Sequence, residues 1–420
     1  MGRFDLRNKA QAGVPFYTPA QEPPPGTAAE PRASAATPTP TLYTPLRMRS
    51  VELPNRWVVS PMCQYSADPD GHLTDYHLVH LGQFALGGAA LVVVEASAVE
   101  PRGRISPQDA GVWADSHVAP LRRVVDFVHS QGGKAAIQIA HAGRKASTLA
   151  PWIAGAAGRV LADEAHGGWP GDVVGPSAVP YSEDWAPPRE LTVDEIRGLV
   201  KSFADAAARA VAAGFDVVEI HGAHGYLITS FLSPLSNQRT DDYGGSFENR
   251  TRFLREVVAA VRAVIPADMP LWVRISATEW MEWAGAPSWD LEQSLRLARL
   301  LPGWGVDVLD VSSGGNNPRQ RIERSRTYQT DLARRIRTAL RDEGSPLLVA
   351  AVGGIDDAAF ARDVVQEGPE QSADLALAAK QFLRDPQFVL HAAHELGVPV
   401  KWPNQYHRAE PKEVQDAFKL

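Results

Sequence analysis

His221, His224 and Tyr226 stand within six residues of one another in HGAHGY, and this grouping of two imidazoles and a phenol admits three chemistries. As metal ligands the pair would use a His-x-x-His spacing, but no glutamate lies between them as in the helical zinc-protease motif, and one cysteine supplies no thiolate cluster. As structural residues the histidines would cap a strand end. As a catalytic group, two imidazole N–H donors would hold a carbonyl or anionic oxygen while the tyrosine hydroxyl supplied a proton. Arg274 is the one charge in LWVRIS; a guanidinium does not shed its proton to escape burial, so it must meet an electron-rich ligand or a carboxylate such as Glu219. Ser312-Ser313 and Gly353-Gly354 suit backbone binding of a phosphate, or a plain turn. Cys63, beside Met62, reads by default as a small buried apolar residue.

These residues need a scaffold that gathers strand ends. Apolar, strand-like runs occur at 57–60, 90–96, 135–141, 215–221, 271–277, 306–312, 346–352 and 374–379, alternating with helical patterns at 75–87, 118–131, 193–213, 246–264, 290–301, 328–343, 357–367 and 386–396. Near-continuous apolar strands imply burial on both faces, and eight strand–helix units close one (β/α)8 TIM barrel. A doubly wound open sheet is the competing fold, but neither a Gly-x-Gly-x-x-Gly fingerprint nor a phosphate loop ending Gly-Lys-Ser/Thr is present. In the barrel the polar residues above, with Gln138, His141 and the Ser60–Tyr65 stretch, would converge on the C-terminal mouth. The Gly-, Pro- and Trp-rich stretch 146–190 after the third strand predicts a long loop or lid at that mouth.

Composition narrows the remaining options. With 49 acidic and 42 basic side chains, a net charge of −7, the chain has no general attraction for nucleic acid or anionic lipid. The single Cys63 rules out an intramolecular disulfide and a cysteine-ligated iron–sulfur cluster. The apolar run 84–98 contains Glu95 and is too short to span a bilayer, and MGRFDLRNKA lacks a secretory apolar core, so a cytoplasmic protein is expected. Residues 19–40 carry seven prolines and six alanines, which places a leader at 1–41 ahead of one barrel domain at 42–420. That composition reads as an extended arm or a disordered leader.

The motifs together resemble the old yellow enzyme family of FMN-dependent ene-reductases, on the branch with a cysteine near the flavin and an extended N-terminus. The resemblance rests on SPMCQYS (60–66), TDYHLVH (74–80), VVEASAVEPRGR (93–104), IQIAHAGRKA (137–146), HGAHGYLITSFLSPLSNQRTDDYGGSFENR (221–250), WVRIS (272–276) and FLRDP (382–386). It implies that Gln138 and Arg274 bind the pyrimidine side of FMN, that Ser60, Pro61, Met62 and Ala96 line it, and that Cys63 near N5 adjusts its potential. Ser313, Gly353, Gly354, Ala379 and Lys380 would hold the cofactor's phosphate end. His221 and His224 would bind the carbonyl oxygen of an activated alkene, Tyr226 would deliver the proton, and Tyr65 would add a hydrogen bond to the substrate. NADPH or NADH would donate electrons.

The resemblance also implies a homo-oligomer, dimer or tetramer, in which a C-terminal arginine, here Arg408, enters a neighbouring subunit's pocket. To VPFYTPAQEPPPG at 14–26 it assigns an ordered arm. Two departures stand out. The family commonly has Gly-Arg where this chain has Ala379-Lys380, which keeps the charge but loses a bidentate fork. The chain also continues a dozen residues past Arg408. Alternatives within the same scaffold are reduction of nitro compounds or nitrate esters, amine or ketone oxidation, and a non-catalytic flavin-binding barrel.

Overall fold

The computed structural model of the protein describes residues 8–30 and 38–418. Eight strands close a barrel: β1 (Trp57–Val59), β2 (Leu91–Ala98), β3 (Lys134–Ala140), β4 (Val217–Gly222), β5 (Leu271–Ser276), β6 (Val308–Ser312), β7 (Leu348–Val352) and β8 (Leu375–Ala378). Every neighbouring pair is parallel, and β8 returns to β1 through Ala376–Trp57 and Leu377–Val58. All eight predicted strands are present, each shifted by at most two residues at its ends.

Outside the barrel run α1 (Asp75–Leu86), α2 (Val118–Ser130), α3 (Val193–Ala213), α4 (Phe247–Val264), α5 (Leu291–Trp304), α6 (Thr330–Asp342), α7 (Ala358–Val365) and α8 (Phe388–Glu395). Their starts carry chemical signals. Thr192 and Glu195 form a reciprocal capping box on α3, and Ser246, Asp290 and Asp357 each accept a backbone N–H three residues on. Helix α5 runs past the predicted end at 301, with Pro302 in its last turn. There a missing N–H costs one bond, and Gly305 at φ +91° donates to Leu301 and ends the helix.

The alternation along each strand sorts residues into two cores. Outward-facing Val92, Val94, Ile137, Ile139, Val218, Ile220, Val273 and Ile275 pack under the helices. Inward-facing Val58, Leu91, Val93, Ala136, Val217, Trp272, Val308 and Leu377 form a separate plug, capped by Met48, Val51 and Leu53 of an antiparallel hairpin, Leu46–Met48 with Val51–Leu53. The sequence reading did not foresee that hairpin, because three-residue strands carry too little period to register. It seals the N-terminal end of the barrel.

The described part of the N-terminal leader runs over the same end. Phe16 stacks on Phe127 of α2, Asn55 donates to the Gly26 carbonyl, and Gly26 N–H donates to Lys401 O at 2.8 Å. Of the predicted 1–41 segment, residues 1–7 and 31–37 lie outside the described residues. Among the described residues no helix is long and apolar enough to cross a membrane.

Candidate active site

One more pair of residues along the inward face converts the apolar plug into a polar floor. Ala136 is followed by Gln138, Val217 by Glu219, Trp272 by Arg274, and Val308 by Asp310, four fully or nearly fully buried polar side chains on four adjacent strands. Gln138 Nε2 donates to Glu219 Oε1 at 2.7 Å. Arg274 places Nε 3.2 Å from Asp310 Oδ2 and donates through Nη1 to Ser60 Oγ at 3.1 Å. The arginine's carboxylate partner is therefore Asp310, not Glu219. Burial raises the pKa of both carboxyls; each also feels Arg274, which opposes the rise.

A further step of two reaches the rim, with His221 on β4, Ser276 on β5 and Ser312 on β6. His221 Nδ1 accepts the Ala223 N–H, so its proton sits on Nε2. His224 Nε2 lies 2.8 Å from Ser312 Oγ; with that hydroxyl donating, Nδ1 keeps the proton. Burial, reinforced by the Arg274 charge, holds both histidines well below the usual imidazole pKa, so at pH 7 each is neutral and offers one N–H. The rings of His221 and Tyr226 are 5.1 Å apart, centroid to centroid, and those of His224 and Tyr226 6.5 Å. Burial lifts the Tyr226 phenol well above 10, so it stays protonated. Among the described residues no three His, Cys, Asp or Glu side chains are grouped to hold a metal ion, and this pair finds no third ligand.

The backbone here is tightly constrained. His224 has φ +63° and Gly225 φ +75°, and a side chain on Gly315 would collide with His224 Cα at 2.6 Å. Ser276 Oγ accepts the His224 N–H at 2.9 Å and donates to Gly314 O at 2.8 Å, pinning the loop to β5.

Lys145 was not foreseen. Its Nζ donates to His224 O and Gly315 O, both at 2.9 Å, and lies over the rings of Tyr181, Trp185 and Tyr226. Burial first, then Arg144, lowers its pKa to about 7. In the sequence it sits in AGRKA, a run that reads as ordinary surface charge; only the aromatic residues of 146–190 hint at a cage.

The opposite wall is the stretch from Ser60 to Tyr65. Cys63 is partly exposed with its thiol pKa raised by burial, so it is a neutral thiol. Beneath it Glu95 accepts the Gln64 N–H at 3.0 Å, and its second oxygen stands 3.6 Å from His77 Nε2. Burial pushes Glu95 up to about 8 and His77 down to about 4, leaving both neutral at pH 7. Tyr65, at φ +53°, meets Trp152 edge-on at 5.5 Å; Trp152 belongs to a short helix, Pro151–Ala157, inside the predicted excursion.

The model of the NADH:flavin oxidoreductase / NADH oxidase family matches residues 41–398. The chain belongs to that family. It is 46% identical over 409 residues to an NADH:flavin oxidoreductase of Gibberella zeae, covering 95% of each chain. It is 43% identical to an NADPH dehydrogenase of Bacillus pumilus, over 88% of this chain and 98% of that one. Among solved structures, morphinone reductase in complex with tetrahydroNAD is 28% identical, with a TM-score of 0.65 over 87% and 93% of the two chains. A 2-naphthoyl-CoA reductase shares the fold at 23% identity and a TM-score of 0.73; this chain spans 52% of its length. The protein is an old yellow enzyme family oxidoreductase, with FMN as cofactor and a nicotinamide as electron donor.

The residues of this flavin oxidoreductase fit that cofactor. Arg274 and Gln138 are buried polar side chains on the inward face of the barrel; Arg274 Nε, though 3.2 Å from Asp310 Oδ2, makes no well-formed hydrogen bond there, so the guanidinium keeps donor capacity for a ligand. At the end of β7, Gly353 (φ +113°) and Gly354 (φ +68°) form a turn in which a Cβ would strike Gln329 Nε2 at 2.5 Å or Arg326 O at 2.6 Å. Exposed Lys380 follows Ala379 in the same region.

Three sequence candidates lie elsewhere or are otherwise engaged. Ser313 Oγ donates to Gln329 Oε1, tying β6 to α6. His141 is engaged at both ring nitrogens, Nε2 lying 2.9 Å from Glu100 and Nδ1 accepting the Gly143 N–H at 2.9 Å. Arg408 is exposed in the Asn404–Ala409 turn, where Gln405 meets Gln21 beside Gln131 at the foot of α2. That is the sealed end of the barrel, so within one chain Arg408 is no part of the mouth.

Proposed function

We propose that the protein reduces the activated C=C bond of α,β-unsaturated carbonyl compounds at the expense of NADPH or NADH. The carrying observation is the juxtaposition of two neutral, N–H-donating histidines with a protonated tyrosine at the end of β4. Bound FMN would supply the hydride chemistry between the nicotinamide and the alkene's β-carbon. The protein's own residues do the rest. Gln138, Arg274, Ser60, Pro61, Met62, Cys63 and Ala96 would hold the isoalloxazine, while Gly353, Gly354, Ala379 and Lys380 would hold the phosphate.

His221 Nε2–H and His224 Nδ1–H bind the substrate carbonyl oxygen and withdraw electron density through it, which makes Cβ electrophilic. Tyr226 Oη gives its proton to Cα, on the opposite side of the bond, and Tyr65 adds a hydrogen bond to the substrate. Similarity to a morphinone reductase supports this reading. A lysine in place of the fork-shaped guanidinium suits a looser phosphate grip. The test is an absorbance titration under anaerobic conditions. A flavin band that bleaches with NADPH and recovers with cyclohexenone is the expected result; a band that bleaches but ignores every enone tried, while recovering with nitro compounds, overturns it.

A further inference from the structure

The polar floor contains two carboxyls that the proposed reaction does not use. Glu219 and Asp310 are 0% exposed, lie on β4 and β6, and flank β5, which carries Arg274. Two ionised carboxylates cannot share such a site: mutual repulsion adds to the cost of removing each from water, and a single guanidinium offsets only one of them. Yet Glu219 Oε2 and both Asp310 oxygens have no conventional hydrogen-bond partner, which is expensive for ionised groups at zero exposure. One proton held between the two carboxyls resolves this, because a protonated acid becomes a donor to its neighbour. Asp310, which has the cation at 3.2 Å, is the member that stays ionised. Glu219, which accepts only from the neutral Gln138 amide, is the member that keeps the proton. The charges bearing on the pair are each other's and that of Arg274.

The same contacts join the two residues assigned to the pyrimidine side of the flavin. Gln138 leans on Glu219, Arg274 leans on Asp310 and on Ser60, and the two carboxyls stand on the strands either side of Arg274, each feeling the other's charge. We propose that Glu219 and Asp310 are positioning residues: a proton-sharing pair that locks Gln138 and Arg274 into one rigid unit and, by leaving a single negative charge beneath Arg274, lowers the potential of bound FMN. The inference rests on the flavin reading above. Arg274 alone would present a full positive charge to the electron-rich reduced cofactor and favour reduction strongly; with Asp310 beneath it the floor is neutral overall. The cofactor is thereby kept reducing enough to pass electrons on.

Two near-isosteric substitutions separate the roles. Asp310→Asn removes the negative charge. In FMN-loaded protein its two-electron midpoint is expected to move positive, with reduced FMN gaining about tenfold in affinity over oxidised FMN, equivalent to about 30 mV. Glu219→Gln replaces a neutral acid with a neutral amide, and its midpoint is expected within about twofold of wild type on the same scale. An unchanged midpoint in D310N, or an equal shift in E219Q, overturns the proposal.

Should either variant fail to fold, infrared difference spectroscopy on wild-type holoenzyme decides. The C=O stretch of a protonated carboxyl at pH 7 that responds to flavin reduction is expected, and its absence overturns the pairing. A chain that takes up no FMN overturns the flavin reading and this inference together. FMN-loaded protein that turns over an enone, yet has the same midpoint in wild type and D310N, overturns this inference alone.

Discussion

The two ends of the barrel are made by the same strands, a few residues apart. At the N-terminal end Ala136, Val217, Trp272 and Val308 close on Met48, Val51 and Leu53 of the hairpin. Two residues on stand Gln138, Glu219, Arg274 and Asp310, and on β4, β5 and β6 two more bring His221, Ser276 and Ser312. Each strand therefore spends its first inward side chain on stability and its later ones on chemistry. Apolar burial at one end favours folding by roughly 25 cal/mol per Å², whereas each buried polar group at the other end is tolerated only if paired or used. The contrast implies that substitutions should separate cleanly, stability responding at one end and activity at the other.

The sharpest way to break that separation is Tyr226→Phe. Loss of the proton donor should lower alkene turnover by about 10² to 10⁴-fold, as for removal of a general acid, while NADPH oxidation in the absence of alkene is unchanged. Stopped-flow measurement of the two half-reactions would show it, and equal slowing of both would mean that the phenol acts on the flavin. Next, His221→Ala, in extended strand, should cost roughly 10² to 10³-fold in kcat/KM for an enone, the loss typical of one oxyanion donor. Thermal unfolding of the same variant should scarcely change, and a large fall in Tm would merge the two ends.

At the sealed end Leu53→Ala should destabilise by about 2–5 kcal/mol, because Leu53 is fully buried and the hairpin cannot collapse onto the barrel to fill the gap. Denaturant titration gives the stability, and kcat at a temperature where the variant is folded should match wild type. The smallest effect belongs to Glu95 beneath the Cys63 wall. Its folded pKa of about 8 lies above the 4.5 of an unperturbed glutamate, so its contribution is complete below pH 4.5 and lost as pH rises toward 8. Stability should fall by about 1–3 kcal/mol between pH 5 and pH 7 in wild type relative to Glu95→Gln. Parallel pH profiles for the two proteins would mean that Glu95 is ionised in the folded state.

The sealed and open ends were not equally legible in the sequence. The strands announced themselves because parallel strands buried on both faces are long apolar runs, and the mouth residues because a histidine or arginine at the end of such a run is costly without a purpose. Arg274 was visible on that ground, but which carboxylate would stand beside it was not, and Glu219 was only one example. Asp310 sits in VDVLDVSS, where a second aspartate, Asp307, obscures which one points inward, and only closure of the barrel settles the register. Lys145 was hidden for the opposite reason: lysine beside arginine in a loop is the ordinary dress of a surface. His141 does stand at a strand end, but its sequence position could not show that both ring nitrogens are taken up, by Glu100 and by the Gly143 N–H. Glu95 entered the sequence reading only as the charge that interrupts an apolar run, although the fold buries it at 2% exposure.

The left-handed backbone at His224 limits what evolution can write there. A replacement must tolerate φ near +63° and still present an N–H to the mouth, and those two demands are met together by few side chains. Asparagine satisfies both, since it enters this conformation readily and carries an amide donor; glycine satisfies the first alone, and glutamine, lysine or any β-branched residue fails the first. Position 224 is thus confined to an alphabet of about two letters by backbone geometry before catalysis imposes any selection of its own. His221, in extended strand four residues of sequence away from that turn's end, is free of the constraint, so the two imidazoles should diverge among descendants of this sequence at different rates and toward different residues.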